Sequence, residues 1–247
     1  MTSSDLQERL FRQLSRTPLF HAARPEFLHA LSTQAQLISL EKNQILFLHE
    51  DPASRFYLVD RGWIKLFRET RNGAQAVIDI VTNAHLFGET SLFENDLYPY
   101  SAEAAEPSCV FSLPLSVLKA EIEISPLTAM AMLSSMAHAR RQQDQELEHR
   151  TLQNAPQRLG CFLLRLLDQQ TDGPKSIDLP YDKTLIAARL GMQPETFSRA
   201  LSKLKAETGL QVTGGRVELN SVQQLADYSC TACSSEFPCK DLCGKKF

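Results

Sequence analysis

YDKTLIAARLGMQPETFSRALSKLKAET, residues 181–208, is the stretch on which the reading of the chain turns. It breaks into two helices and a tight turn. Residues 184–190 carry Leu185, Ile186, Ala188 and Leu190 as one apolar face, and Gly191 closes the segment, because a residue that must go left-handed past a helix end is most cheaply glycine. Gln193 and Pro194 open the second helix, where a first-turn proline loses no hydrogen bond. Phe197, Leu201 and Leu204 recur at i, i+4 and i+7, the spacing of a buried stripe. Glu195, Ser198, Arg199, Ser202 and Lys203 fall on the opposite face. Such a pair has the layout of a helix-turn-helix whose second helix can lay its first turns against base edges in a major groove. An ordinary helical hairpin with a solvated face has the same pattern, and the residues that follow decide between the two.

Residues 210–219, LQVTGGRVEL, are two short alternating runs around Thr213-Gly214-Gly215-Arg216, a strong hairpin signal. A helix-turn-helix followed by a hairpin is a winged helix, with Arg216 placed to touch a phosphate.

The rest of the chain has room for more. Its 247 residues are 43% apolar, enough for two modest domains. A net charge of −3 argues against indiscriminate nucleic-acid binding but suits a sequence-specific binder with its basic residues gathered on one small domain. The opening MTSSDLQERL has no apolar signal core, and the longest uncharged stretch, 124–139, is too short and too rich in hydroxyls to span a bilayer. The expectation is a cytoplasmic protein that does not enter a membrane. Six cysteines there are reduced or metal-bound rather than paired in disulfides.

Residues 4–31 read as helical pieces broken by Pro18 and Pro25. From 36 to 114 the texture becomes short strands between turn signals such as Arg61-Gly62 and Asn72-Gly73, the pattern of a jelly roll. No catalytic constellation stands out, so an enzyme is not expected. Residues 126–154 read as one long helix in which Met130, Leu133, Ala137, Arg140, Asp144, Leu147, Thr151 and Asn154 recur at intervals of three and four. That seam suits a homodimer through Met130, Leu133, Ala137 and Leu147. Arg140 and Asp144 either fix its register or form a solvated pair. The fold class is therefore α+β: a jelly-roll domain over 1–125, a dimerisation helix and hinge over 126–154, a winged helix-turn-helix over 155–228, and a cysteine-rich tail over 229–247.

This order resembles the CRP/FNR family of regulators, over almost the whole chain to about Tyr228. Two motifs carry the resemblance. Phe87-Gly88-Glu89-Thr90-Ser91-Leu92-Phe93 is similar to the family's effector-pocket segment, and Glu195-Thr196-Phe197-Ser198-Arg199 to the recognition helix of the FNR branch, especially that of the dissimilatory nitrate respiration regulators. The resemblance implies base reading by Glu195, Ser198 and Arg199, with Gln193, Thr196 and Lys203 on the same DNA face. It further implies TTGAT-like half-sites in a palindrome of double-stranded DNA, a homodimer, and RNA polymerase as partner. The chemistry agrees: Arg199 can bond guanine O6 and N7 together, Glu195 can accept from cytosine N4, and Ser198 can meet a thymine or adenine edge.

The chain departs from the cyclic-nucleotide branch in its pocket. Where that branch has Arg-Ser, with the arginine neutralising the cyclic phosphate, this sequence has Tyr98-Pro99-Tyr100-Ser101. A buried phosphate without a counter-charge is costly. Gly88, Glu89, Tyr100 and Ser101 are left as the candidate pocket, for a different effector or as a vestige, and Glu89 reads as structural. The amino-terminal cluster cysteines of FNR are absent, since no cysteine precedes Cys109. Cys109 and Cys161 read as buried small hydrophobes.

The tail instead holds Cys230, Cys233, Cys239 and Cys243, a C-x2-C-x5-C-x3-C run. Zinc usually takes two C-x2-C knuckles across a longer spacer, whereas compact irregular runs resemble iron–sulfur loops. A [4Fe–4S] cluster sensing oxygen, nitric oxide or redox state ranks ahead of structural zinc. The other readings are a haem-based gas sensor with a zinc-stabilised tail and, from another class, an iron–sulfur electron-transfer protein that needs no DNA.

Overall fold

Leu10 and Leu14 lie one turn apart on α1 (Ser3–Arg16) and are fully buried, with Phe20 and Phe27 packed edge to face beside them. Pro25 then starts α2 (Pro25–Thr33) at the position where proline is free. The protein, seen here as a computed structural model, is described at residues 3–21, 23–168, 176–179 and 182–234. It divides into two compact units, Met1–Met136 and Ala137–Phe247.

The first unit is a sandwich of two four-stranded antiparallel sheets. One runs β1 (Gln36–Leu40), β8 (Ser108–Pro114), β3 (Arg55–Arg61), β6 (Leu86–Phe87), and the other β2 (Ile45–Phe47), β7 (Ser101–Ala104), β4 (Ile64–Glu69), β5 (Gln75–Val81). Strand β3 shows why the layers form. Its side chains alternate with period two, so Phe56 and Leu58 face the helical layer while Tyr57 and Val59 fill the sandwich interior. The helical layer is completed by α3 (Leu115–Ile124). Seven of the eight strands coincide with the sequence runs 35–40, 44–50, 55–60, 63–69, 75–81, 100–106 and 109–114, which read as short strands between the turn signals. The exception, β6, is two residues long and offers no periodicity to read.

Helix α4 (Pro126–Leu152) runs through the boundary of the two units. It stops two residues earlier than the sequence seam suggested. Asn154 instead caps the next helix, α5 (Ala155–Asp168): its Oδ1 accepts from Gln157 N at 3.1 Å and its own N–H donates to Gln157 Oε1 at 3.0 Å, a reciprocal capping box. Arg140 and Asp144 form an exposed pair one turn apart at 3.3 Å, worth a few tenths of a kcal/mol at about 0.3–0.5.

The second unit packs α5 against α7 (Pro194–Thr208) and α8 (Val222–Ser229), with α6 (Lys183–Arg189) antecedent to α7. Gly191, at φ +63°, makes the turn between α6 and α7 in the left-handed region. A hairpin of β10 (Gln211–Thr213) and β11 (Arg216–Glu218) gains a third strand, β9 (Ser176–Asp178). Neither β9 nor α8 was legible in the sequence. Helix α8 is nonetheless tightly seated: a Cβ on Gly160 of α5 would collide with Ser229 Oγ and crowd Leu225. Among the described residues no helix is long and apolar enough to cross a membrane.

Candidate nucleic-acid interface and cysteine tail

Helix α7 separates its two faces cleanly. Phe197, Ala200, Leu204 and Thr208 are buried at i, i+3, i+7 and i+11. The expected stripe is corrected at one place: Leu201 is only half-buried, and Ala200 takes its core position because the inward face drifts round the helix. Gln193, Glu195, Thr196, Ser198, Arg199, Ser202 and Lys203 are all exposed. Glu195 and Arg199 make no ion pair among the described residues, so both are available to bases. The serine hydroxyls are engaged locally: Ser198 Oγ donates to Pro194 O and Ser202 Oγ to Ser198 O, each at 3.0 Å. Ser198 must rotate away from its own helix to meet a base.

On the wing, Arg216 is not a free cation. Its guanidinium donates to Ser176 Oγ at 2.8 Å and pairs with Glu218 at 3.4 Å and Asp178 at 3.7 Å. A phosphate would have to compete with those carboxylates.

The jelly-roll pocket segment is closed by aromatic rings. Phe47 stacks on Tyr98 with centroids 3.7 Å apart, and Tyr57 stacks on Phe87 at 5.3 Å. Tyr98 donates to Arg55 O at 2.7 Å. Tyr100 Oη accepts from Gly88 N at 3.0 Å, and Ser101 Oγ, buried, accepts from His49 N at 2.9 Å. Burial pushes the Tyr98 and Tyr100 phenols well above their usual range. Glu89 is partly exposed as a residue, yet its Oε2 is sealed from solvent and unpartnered, and burial raises its carboxyl. Sequence reading missed Arg68 on β4, whose Nε donates to Pro99 O at 2.9 Å and brings a guanidinium to this loop from another strand.

The tail is described only at its base. Cys230 and Cys233 lie half-exposed at and after a single 3₁₀ turn, Cys230–Ala232, that follows α8, and neither is in a disulfide. Cys239 and Cys243 lie outside the described residues. Cys109 and Cys161 are buried, each beside a polar group: Arg61 Nε donates to Cys109 Sγ at 3.2 Å, and Cys161 Sγ lies 3.8 Å from His149 Nδ1. Among the described residues no three metal-ligating side chains converge.

What the sequence did not reveal is how that base is held. Ser234 donates from N and Oγ to the two carboxylate oxygens of Glu148, at 2.7 and 2.9 Å. His149, 8% exposed, faces Cys233 Sγ through Nε2 at 3.5 Å. Gln153 Nε2 donates to Ser229 O at 3.4 Å, and Gln157 Nε2 to Thr231 Oγ1 at 2.9 Å. Burial, and then Arg165, pull the imidazole below its ordinary pKa, which favours the neutral ring that can accept from a thiol. Glu146, His149 and Gln153 recur at i, i+3 and i+7, a polar stripe on the side of α4 away from the seam residue Leu147, and it could have marked this face.

Residues 37–125 match the cyclic nucleotide-binding domain family, and residues 157–228 the Crp-like helix-turn-helix domain family. A regulatory protein of Silicibacter pomeroyi DSS-3, described as cAMP-binding, is 35% identical; the match covers 91% of this chain and 99% of that one, with a TM-score of 0.67. The cyclic AMP receptor protein of Thermus thermophilus is 29% identical over 211 residues, 85% of this chain and 96% of the relative. The transcriptional activator FnrA of Stutzerimonas stutzeri is 23% identical over 183 residues, 73% of this chain and 75% of the relative. With both domains in family order and the recognition face exposed, the chain belongs to the CRP/FNR family, as a DNA-binding transcription regulator and not an enzyme.

Proposed function

We propose that this regulator reads TTGAT-like palindromes as a homodimer in the cytoplasm and responds to oxygen, nitric oxide or redox state through a [4Fe–4S] cluster held by Cys230, Cys233, Cys239 and Cys243. The observation that carries the reading is the anchorage of the tail's base to Glu148, His149 and Gln153, the last turn of α4 and the link to the DNA-binding helices. Such a group, when bound, cross-links thiolates through metal centres that oxidants attack. Cys230 and Cys233 fit it, being half-exposed soft donors outside any disulfide, three residues apart at the start and just past the end of one short turn. Four thiolates gathered without metal repel one another, so the residues of an unloaded tail separate. Glu148 and Gln153 then lose their partners in residues 229–234, and the link after Leu152 is released. Only such a contact, present in one state and absent in the other, can bias the aim of α7.

The dimer reading is supported by α4 itself. Leu127, Met130, Leu133 and Leu147 are 66%, 60%, 59% and 62% exposed in the single chain, an apolar edge that a second copy would cover. The closed aromatic interior and the absence of a basic residue at 98–101 weigh against cyclic AMP as effector. RNA polymerase is the downstream partner on this reading. One observation favours a second reading: His149 Nε2 beside Cys233 offers a mixed thiolate–imidazole set of the kind zinc takes.

Anaerobic reconstitution of the full chain with iron and sulfide tests both. The proposal expects a brown protein with broad visible absorbance that bleaches in each of the four Cys→Ser variants. A colourless protein with stoichiometric zinc supports the second reading, and a chain that binds neither metal sinks both.

A further inference from the structure

Beyond base reading and the cysteine tail, the second unit holds a charged cleft that shares His149 with the tail's anchorage and whose arginines neither uses. Arg150 of α4, Arg158 and Arg165 of α5, and Arg189 of α6 converge with Cys161, His149 and Glu146 around a half-open space of about 40 Å³. Glu146 is the carboxylate that answers them. It accepts from Arg165 at 3.1 Å and from both Arg189 terminal nitrogens at 2.5 and 2.9 Å. Arg150 and Arg158 have no carboxylate partner among the described residues.

The donors left over point the same way. Arg158 Nε and Arg165 Nη2 are sealed from solvent and find no acceptor in the protein. A buried charged donor without an acceptor is an energetic liability. Burial, and then the like charge of Arg150, pull the Arg158 guanidinium below its ordinary pKa. Guanidinium forks match the paired oxygens of phosphate-like and carboxylate-like groups. The space suits one small polyatomic ion, larger than a single water and far smaller than a nucleotide.

We propose that this cleft is a binding site for a small oxyanion, held chiefly by Arg150 and Arg158 with Arg165 as third donor. Arg150 precedes the Gln153 link between α4 and α5, and Arg158 follows it. An empty cleft sets two cations against each other across that link; an occupied one clamps them. Oxyanion binding would therefore stiffen the link that the tail also grips, as a second input independent of any cluster.

Inorganic phosphate titrated into the full-length protein, at constant ionic strength against chloride, tests this by thermal shift. The expected result is a saturable rise in Tm, with sulfate and nitrate competing. Arg158→Gln should weaken apparent phosphate affinity about tenfold or more, the worth of one charged hydrogen bond. Arg150→Gln, an exposed position whose change cannot unfold the core, should weaken it in the same direction, while Arg12→Gln on the exposed face of α1 should not. No saturable shift, or a shift that survives both cleft variants, overturns the proposal. So does a third outcome: no phosphate binding, but a palindrome salt dependence reduced by about one ion in both variants, which would make the cleft a seat for a DNA phosphate.

Discussion

The sandwich interior of the first unit and the helical cleft of the second treat polar groups in opposite ways. In the first, Phe47, Tyr57, Phe87 and Tyr98 stack into the space between the sheets, and the phenols are satisfied by backbone and by one another. In the second, four arginines, one carboxylate, a histidine and a thiol share a half-open space, with donors left unmatched. A closed apolar interior is bought with shape and resists a new ligand; an unmatched polar cluster invites one. On this account the input to the regulator has moved from the sandwich to the end of α4 and its cysteine neighbours.

The largest expected effect breaks the frame shared by both regions. Leu133→Asp on the exposed edge of α4 should dissociate the dimer and abolish palindrome binding, because one half-site offers half the contacts. Sedimentation showing an intact dimer would place the interface elsewhere.

Arg199→Ala should cost about 1–3 kcal/mol on the palindrome and flatten discrimination at the half-site guanine. An equal loss on random duplex would make Arg199 a phosphate contact. A similar size, about 1–3 kcal/mol in stability, is expected of Gly160→Ala, whose methyl has nowhere to go between α5 and Ser229. Calorimetry should show the second unit melting earlier while the sandwich is unmoved.

Glu146 sharpens the contrast through pH. Burial alone would raise its carboxyl, but Arg189 and Arg165 outweigh that and hold it below the usual range. A depressed folded pKa means its stabilisation is present above the ordinary carboxylate pKa and is lost as pH falls through the folded value. Glu146→Gln should cost about 2 kcal/mol at neutral pH and progressively less as pH falls below the ordinary carboxylate pKa and through the folded value. A constant cost across that range would show that the network does not depend on the charge. Smallest of all, cyclic AMP should leave Tm and palindrome affinity unchanged; a tight site found by calorimetry would reopen the sandwich as the input.

How much of this was legible follows the range of each signal. Gly191, Pro194 and the 3.6-residue spacing of Phe197 and Leu204 are local, and they placed the helix pair and its exposed face from sequence. Strand β9 was not legible, because its three residues pair only with distant β11. The hold of Arg216 on Asp178 and Glu218 was hidden for the same reason: one of its partners comes from β9, 38 positions upstream. The grip of Glu148 and His149 on residues 233 and 234 likewise spans more than eighty positions, and nothing in either stretch names the other. The capping box at Asn154 was available in principle from Asn-x-x-Gln but was masked by an apparent heptad that ran through it.

The central claim is that the signal enters at the cysteine tail and not at the sandwich. The direct measurement is palindrome affinity of one anaerobically reconstituted sample, before and after oxygen, with and without cyclic AMP. The account predicts that oxygen weakens binding many-fold, that cyclic AMP changes nothing, and that Cys233→Ser no longer distinguishes the two atmospheres. Binding that ignores oxygen but requires cyclic AMP would contradict it.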